Sequence, residues 1–299
     1  MMPARDWEIL RQMRKGFLNA QNGLADYWKT PAHLGLYDQF FAERIGWKWD
    51  AVLADLTSRA FEPNSNHVVD WGCGTGVATR RVLAQYPSIT HVTLWDRSPL
   101  ALRFATESIR QKFPNISFVP WNPSSPPRAI YLLSHVLNEL PESDLTPLIS
   151  LLTSQAESIL WVEPGTFAAS RRLIAVREKL RSSFSLLAPC PHDGMCGLLV
   201  PENAPHWCHH FTRPPGWAHH DPDFSAFVRE LEIDMSTVPY SYLVCGKSPV
   251  NRPAEKVLGR PRFFKGHAKL LVCEPFVVTE KTVQKREDPA AFKALQKSV

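Results

Sequence analysis

The stretch HVVDWGCGTG, His67–Gly76, constrains the fold more than any other part of this chain. A short apolar run ends in an acid, and glycines then fall at every second position. Glycine accepts backbone angles that other residues resist, and its missing Cβ lets a ligand lie against the main chain. A strand that ends this way and runs into a helix also points free N–H groups at that ligand. The following segment, VATRRVLAQY, reads as that helix.

The same alternation continues. HVTLWD, ISFVPW, AIYLLS and SILWVEPG read as strands, and SPLALRFATESIRQKF between the first two of these reads as a helix with Ser98 as N-cap and Pro99 at its first position. Strand alternating with helix predicts a parallel sheet covered on both faces. Two late segments, YSYLVCGK and AKLLVCEP, are expected to complete seven strands after a long insertion. That arrangement is the class I S-adenosylmethionine-dependent methyltransferase version of the Rossmann-like doubly wound α/β sheet. The expected division is a helical segment over 1–62, a cofactor-binding core over 63–163, an insertion over 164–239, and the final strands with a basic tail over 240–299. The insertion should open with a helix from Phe167 to Arg181.

Two cofactor classes use a glycine turn. Dinucleotide enzymes favour G-x-G-x-x-G, whereas Gly72, Gly74 and Gly76 alternate here. Asp70 precedes the first glycine by two residues. A carboxylate there suits a positively charged ligand, such as the amino group of S-adenosylmethionine, and repels a pyrophosphate. Asp96 ends the second strand twenty residues beyond Gly76 and can accept both ribose hydroxyls. The expected cofactor site therefore comprises Asp70, Gly72, Cys73, Gly74, Gly76, Asp96 and Arg97, with Cys73 a small residue packed in the turn. Trp121 and Asn122 are placed to contact the adenine. Ser134 and His135 are placed to face cofactor or substrate, with His135 either a base or a hydrogen-bonded structural histidine.

The chain has six cysteines and no secreted disulfide pattern. Cys190, Cys196 and Cys208 fall within nineteen residues of a proline-, histidine- and glycine-rich loop, and Cys245 and Cys273 follow on late strands. Thiolates bind zinc and iron–sulfur clusters, and the spacing alone does not choose between the two. A loop of this length needs something to hold it in place.

The net charge of +5 is uneven. Residues 247–299 carry 12 basic and 5 acidic side chains, so the whole excess lies there. Arg260, Arg262 and Lys265 surround Phe263 and Phe264, a composition suited to phosphates and unpaired bases. No apolar run is long enough for a membrane helix. Arg5, Arg11, Arg14 and Lys15 are mixed with Asp6 and Glu8 at the start, without an apolar signal core. A cytoplasmic monomer is expected, or a mitochondrial matrix protein for a eukaryotic source.

APCPHDGMC and WCHHF, following VEPGT and DWGCGTG, resemble the methyltransferase-like proteins of the mitochondrial small ribosomal subunit and their bacterial relatives. The resemblance runs from about Val68 to the C-terminus and is most specific in the cysteine segment. KGHAKLLVC matches the family's late glycine–histidine–strand–cysteine segment, which points to Cys273 rather than Cys245 as a fourth ligand. The resemblance implies a 4Fe–4S cluster on Cys190, Cys196, Cys208 and Cys273, and association with small-subunit ribosomal RNA or an assembly intermediate. Zinc on the same cysteines is the alternative. No catalytic residue can be named. SHVLNELP follows the fourth strand where amino-directed methyltransferases carry an Asn/Asp-Pro-Pro-aromatic tetrad. An RNA methyltransferase with an atypical site, a non-catalytic assembly factor, and a small-molecule methyltransferase therefore remain as readings.

Overall fold

The computed structural model describes residues 2–19, 28–248 and 250–297. In chain order, α1 (Ala4–Asn19) and α2 (Pro31–Leu36) lead through a π-helical turn at Tyr37–Ala42 into α3 (Glu43–Ser58). The core follows as β1 (His67–Trp71), α4 (Val77–Gln85), β2 (His91–Trp95), α5 (Pro99–Lys112), β3 (Ser117–Phe118), β4 (Ala129–Ser134), α6 (Glu142–Gln155) and β5 (Ala156–Pro164). Next come α7 (Phe167–Leu180), β6 (Ser185–Ala188), β7 (His210–Thr212), α8 (Pro222–Glu230) and β8 (Val238–Gly246). The chain closes with β9 (Lys256–Phe263), β10 (His267–Glu274), β11 (Val277–Gln284) and α9 (Pro289–Lys297).

The main sheet runs β3-β2-β1-β4-β5-β8-β6, with β7 also paired to β8. β1 to β5 are parallel, and β8 is antiparallel to β5, β6 and β7. This parallel sheet with one reversed strand near its end is the class I methyltransferase order. Alternate residues of each strand serve opposite cores, as the pleat requires. Val68, Leu132, Val162 and Val244 pack with α3 and α4 on one face, whereas Val69, Tyr131, Trp161 and Leu243 pack with α6 and α7 on the other. Ser98 caps α5 by accepting from Ala101 N–H, with Pro99 at the first position.

The last strands differ from expectation. AKLLVCEP is β10, and it lies in the middle of a separate three-stranded antiparallel sheet, β11-β10-β9. The outer place in the main sheet belongs to β6, the segment SLLA inside the expected insertion. The physical reason lies in burial. β6 is apolar and almost wholly buried, as a strand under helices must be, whereas β10 alternates buried and half-buried positions and suits a one-sided sheet. The expected tail is therefore folded: residues 256–284 form that sheet, and α9 follows it. Within the 164–239 segment, Phe224 and Phe227 of α8 pack with Leu10, Phe40 and Trp47 of the N-terminal helices.

Candidate functional site

Strand ends and one turn build the main cavity. Gly72 N–H and Cys73 N–H donate to Trp95 carbonyl at 2.8 and 3.0 Å, pinning the turn to the end of β2. Gly74 has φ +52°, and a Cβ there would meet nothing within 4 Å. Its backbone therefore faces open space that a ligand can fill. Gly76 has the opposite surroundings: a Cβ there would lie 3.1 Å from Ala105, so it serves helix packing. The cavity beside this turn measures about 490 Å3, within the range of small-molecule sites.

Trp71 and Trp95 stack with centroids 4.4 Å apart, and both line the cavity. Asp96 lines it too. Its Oδ2 accepts from Gly74 N–H at 2.8 Å and its Oδ1 from Ser98 N–H at 2.9 Å. Arg97 pairs with Glu139 at 3.2 Å, both on the cavity wall. Trp28, Tyr37 and Ile45 from the N-terminal helical segment close another side.

Gly72, Cys73, Gly74, Asp96, Arg97, Ser134 and His135 all line this cavity. Asp70, Gly76, Trp121 and Asn122 do not. Asp70 is fully buried behind the turn, with Oδ2 accepting from Thr79 Oγ1 at 2.6 Å and Oδ1 without a hydrogen-bond partner among the described residues. Burial pushes its carboxyl up to about 7. An acid so placed is an uncompensated charge that a nearby cation would stabilise. Asn122 caps its own turn through Ser124 N–H, and Trp121 packs against the core on the α6 side. Burial, with Asp70 and Asp96 nearby, holds the Cys73 thiol protonated.

A polar group that the sequence did not reveal lies at the ends of β4 and β5. Lys48 Nζ of α3 stands 3.0 Å from His135 Nε2, and Trp49 Nε1 donates to Ser134 Oγ at 3.0 Å. His135 has φ +60°, an uncommon backbone for a non-glycine residue. Glu163 of β5 accepts through Oε1 from Val136 N–H, Leu137 N–H and Trp161 Nε1, while Oε2 is buried without a hydrogen-bond partner among the described residues. Burial, reinforced by Arg44, lowers Lys48 to about 7. Burial raises Glu163 to about 7 and drives His135 well below its ordinary value.

The cysteines form a second centre. Cys190, Cys196 and Cys208 line one small cavity beside α7, and Cys273 packs in the same apolar cluster as Cys196 and Cys208. Burial raises the Cys208 thiol, and Cys190, Cys196 and Cys273 add to the shift, so the four sulfurs share one neighbourhood. Among the described residues, however, no group of three or more Cys, His, Asp or Glu side chains is gathered closely enough to hold a metal ion. Cys245 is fully buried in β8 against the core on the α6 side.

Side chains hold this loop. Arg177 of α7 donates from Nε to Cys190 Sγ at 3.2 Å and from Nη2 to Gly194 carbonyl at 2.8 Å. Its neighbour Glu178 accepts from Cys196 N–H at 3.1 Å. Asp193 accepts from Leu186 N–H and pairs with Arg252. A Cβ on Gly194 would lie 2.4 Å from the Phe276 ring, so the β10–β11 turn presses on the loop from the other side.

The basic surface is only partly free. The Arg260 guanidinium lies 4.3 Å from the Phe211 ring centre and bonds Thr237, and Arg262 pairs with Glu280. Phe264 is exposed but stacks on His267, Phe263 meets Phe292 edge-on, and Lys265 is exposed. No described helix is long and apolar enough to cross a membrane.

Comparison with known proteins gives similarities over part or most of the chain. A trans-aconitate 2-methyltransferase of Klebsiella pneumoniae (strain 342) is 37% identical over 97 residues, covering 32% of this chain and 36% of that protein. Its counterpart in Acidovorax ebreus (strain TPSY) is 31% identical over 101 residues, covering 32% and 35%. The chain thus spans about a third of the length of the curated relatives it matches. Among solved structures, a precorrin-6y C5,15-methyltransferase from Geobacter metallireducens GS-15 aligns with TM-score 0.40 at 12% identity, over 66% of this chain and 87% of that one. The plantazolicin methyltransferase BamL, solved in complex with a triazolic desmethylPZN analogue and SAH, aligns with TM-score 0.38 at 12% identity, over 81% and 97%. The family pattern described as mitochondrial small ribosomal subunit Rsm22 matches residues 40–299. With most of its length matched, this chain belongs to the Rsm22 family.

Proposed function

We propose that this protein binds S-adenosylmethionine in the cavity at the ends of β1 and β2 and acts on the small ribosomal subunit through its RNA. The observation that carries the reading is the pairing of an open Gly74 backbone with Asp96, both on a cavity of about 490 Å3. Asp96 would accept the ribose hydroxyls, and the stacked Trp71 and Trp95 offer the cofactor an aromatic wall. Behind the turn, Asp70 with its unpartnered oxygen favours a cationic ligand. The family description supports the ribosomal partner. Lys265 and the exposed ring of Phe264 support RNA as the contacted surface, with Arg260 serving the fold. A mitochondrial matrix location follows from the same family for a eukaryotic source.

The four cysteines, Cys190, Cys196, Cys208 and Cys273, would hold a metal group, a 4Fe–4S cluster or zinc. The fit rests on donor chemistry: four sulfurs in one neighbourhood, backed by the cation of Arg177, suit a soft, anionic thiolate site. Binding would draw the sulfurs together and lock the loop between α7 and the β10–β11 turn.

Titration calorimetry tests the cofactor reading. The native chain should bind S-adenosylmethionine, and Asp96→Ala should weaken binding at least tenfold, since each charge-assisted hydrogen bond contributes about 1.5–3 kcal/mol. Equal affinity in the two proteins would remove the ribose role.

A further inference from the structure

We propose that His135 and Lys48 form a proton-accepting relay that makes this cavity a catalytic site for methylating an N–H or O–H group of RNA. The proposal rests on the cofactor and RNA readings above. It starts from geometry. His135 lines the cavity, and its Nε2 is engaged by Lys48 Nζ at 3.0 Å. The ring lines the cavity while Nε2 is taken by Lys48, so Nδ1 is the nitrogen left for a ligand. The backbone of His135 is held at φ +60° by its N–H, which donates to Val162 carbonyl at 2.9 Å. Ser134 next to it is gripped by Trp49. Uncommon backbone of this kind persists only where neighbours impose it, and it clusters at functional sites.

The charged groups around the ring are Lys48 and Arg44 from α3 and Glu163 from β5. Lys48 is buried behind the histidine and does not line the cavity. Burial, with Arg44 nearby, keeps the imidazole neutral, so it is available as a base. With Lys48 also neutral, Nε2–H of His135 donates to Nζ, and the Nδ1 lone pair is exposed to the acceptor.

The step balances as follows. The acceptor's lone pair forms the new bond to the methyl carbon. The bond from that carbon to the sulfonium sulfur breaks, and its electron pair leaves the sulfur as a neutral thioether. The acceptor's proton moves to His135 Nδ1, and the proton on Nε2 moves to Lys48 Nζ. The positive charge lost by the sulfonium donor thus reappears on Lys48, near the unpartnered Oε2 of Glu163. Glu163 also fixes the segment after His135 through Val136 N–H and Leu137 N–H, which makes it a positioning residue.

The test uses the full chain, tritiated S-adenosylmethionine, and unmodified small-subunit ribosomal RNA, both free and in small-subunit particles. His135→Asn is the informative variant. Asparagine tolerates the left-handed backbone and can accept from Lys48, but it does not take up a proton. Calorimetry should find cofactor affinity within threefold of native for His135→Asn and Lys48→Met. Methyl transfer should fall at least a hundredfold in His135→Asn, in keeping with the ~10²–10⁴ that general bases contribute. The native rate should rise with pH as Lys48 loses its proton, and Lys48→Met should remove that step, which a merely structural role would not do. Two results overturn the proposal: transfer by His135→Asn at the native rate, or a native chain that binds the cofactor and methylates neither form of the RNA. Failure of the native chain to bind S-adenosylmethionine at all would instead remove the cofactor reading on which the proposal stands.

Discussion

The glycine-turn cavity and the cysteine loop are built in opposite ways. The first is made of backbone. Strand ends β1, β2 and β4 fix Gly72, Asp96 and Ser134, and the hydrogen bonds that shape the turn run from Gly72 and Cys73 to Trp95. The second lacks regular structure over most of 189–209, apart from short 3₁₀ turns. It is fastened by the side chains Arg177, Glu178 and Asp193 and by the press of Phe276 on Gly194. A site made of strand ends exists before its ligand arrives. A site made of side chains on a loop gains much of its order from the ligand, because metal binding and folding share one free energy.

Breaking the proposed metal site should produce the largest effect. Cys208→Ala, and likewise Cys190→Ala, Cys196→Ala or Cys273→Ala, should abolish metal binding and lower protein yield. Cys245→Ala is the control, since its buried thiol sits in the core on the α6 side and only a small core loss is expected. Metal and acid-labile sulfide analysis of protein purified without oxygen checks this. About four irons and four sulfides per native chain would establish a 4Fe–4S cluster, and one zinc without sulfide would establish the alternative. S-adenosylmethionine affinity should survive in all of these variants, which is what separates the two regions.

A smaller effect sharpens the cofactor side. Asp70 has its folded-state value raised from 3.8 to about 7 by burial. For an acid raised in this way, the protonated form suits the empty fold. The site therefore costs stability above pH 7, and the cost fades as pH falls toward the unfolded value. Asp70→Asn should raise the melting temperature of the ligand-free protein at pH 8 and change little at pH 4. The same substitution should weaken S-adenosylmethionine about tenfold at pH 8, the equivalent of roughly 1.4 kcal/mol for one lost charge interaction. A variant that is no more stable at pH 8 than the native chain would show that Asp70 is compensated after all.

What the sequence disclosed follows the same division. The glycine turn, Asp96, the Ser98 cap and the helix beginning at Phe167 are local patterns, readable over a few residues. Lys48 and Glu163 were not legible, because they meet His135 only through the packing of α3 and β5 against β4, far along the chain. Arg177 reads as one more helical arginine until the loop folds over it. β10 was expected in the main sheet and β6 was not read as a strand at all, since a four-residue apolar segment gives a weak strand signal and a long alternating one gives a strong signal wherever it lies. The cations of GRPRFFKGH looked alike in sequence, and only the fold turns Arg260 inward onto Phe211 while leaving Lys265 in solvent.

Hydrogen–deuterium exchange on metal-loaded and chelated protein tests the contrast between the two regions most directly. Removing the metal should strip protection from residues 189–210 and from the β10–β11 turn around Phe276, while His67–Trp71 and His91–Trp95 keep theirs and S-adenosylmethionine still binds with native affinity. Loss of protection at both regions together, or at neither, would contradict the account.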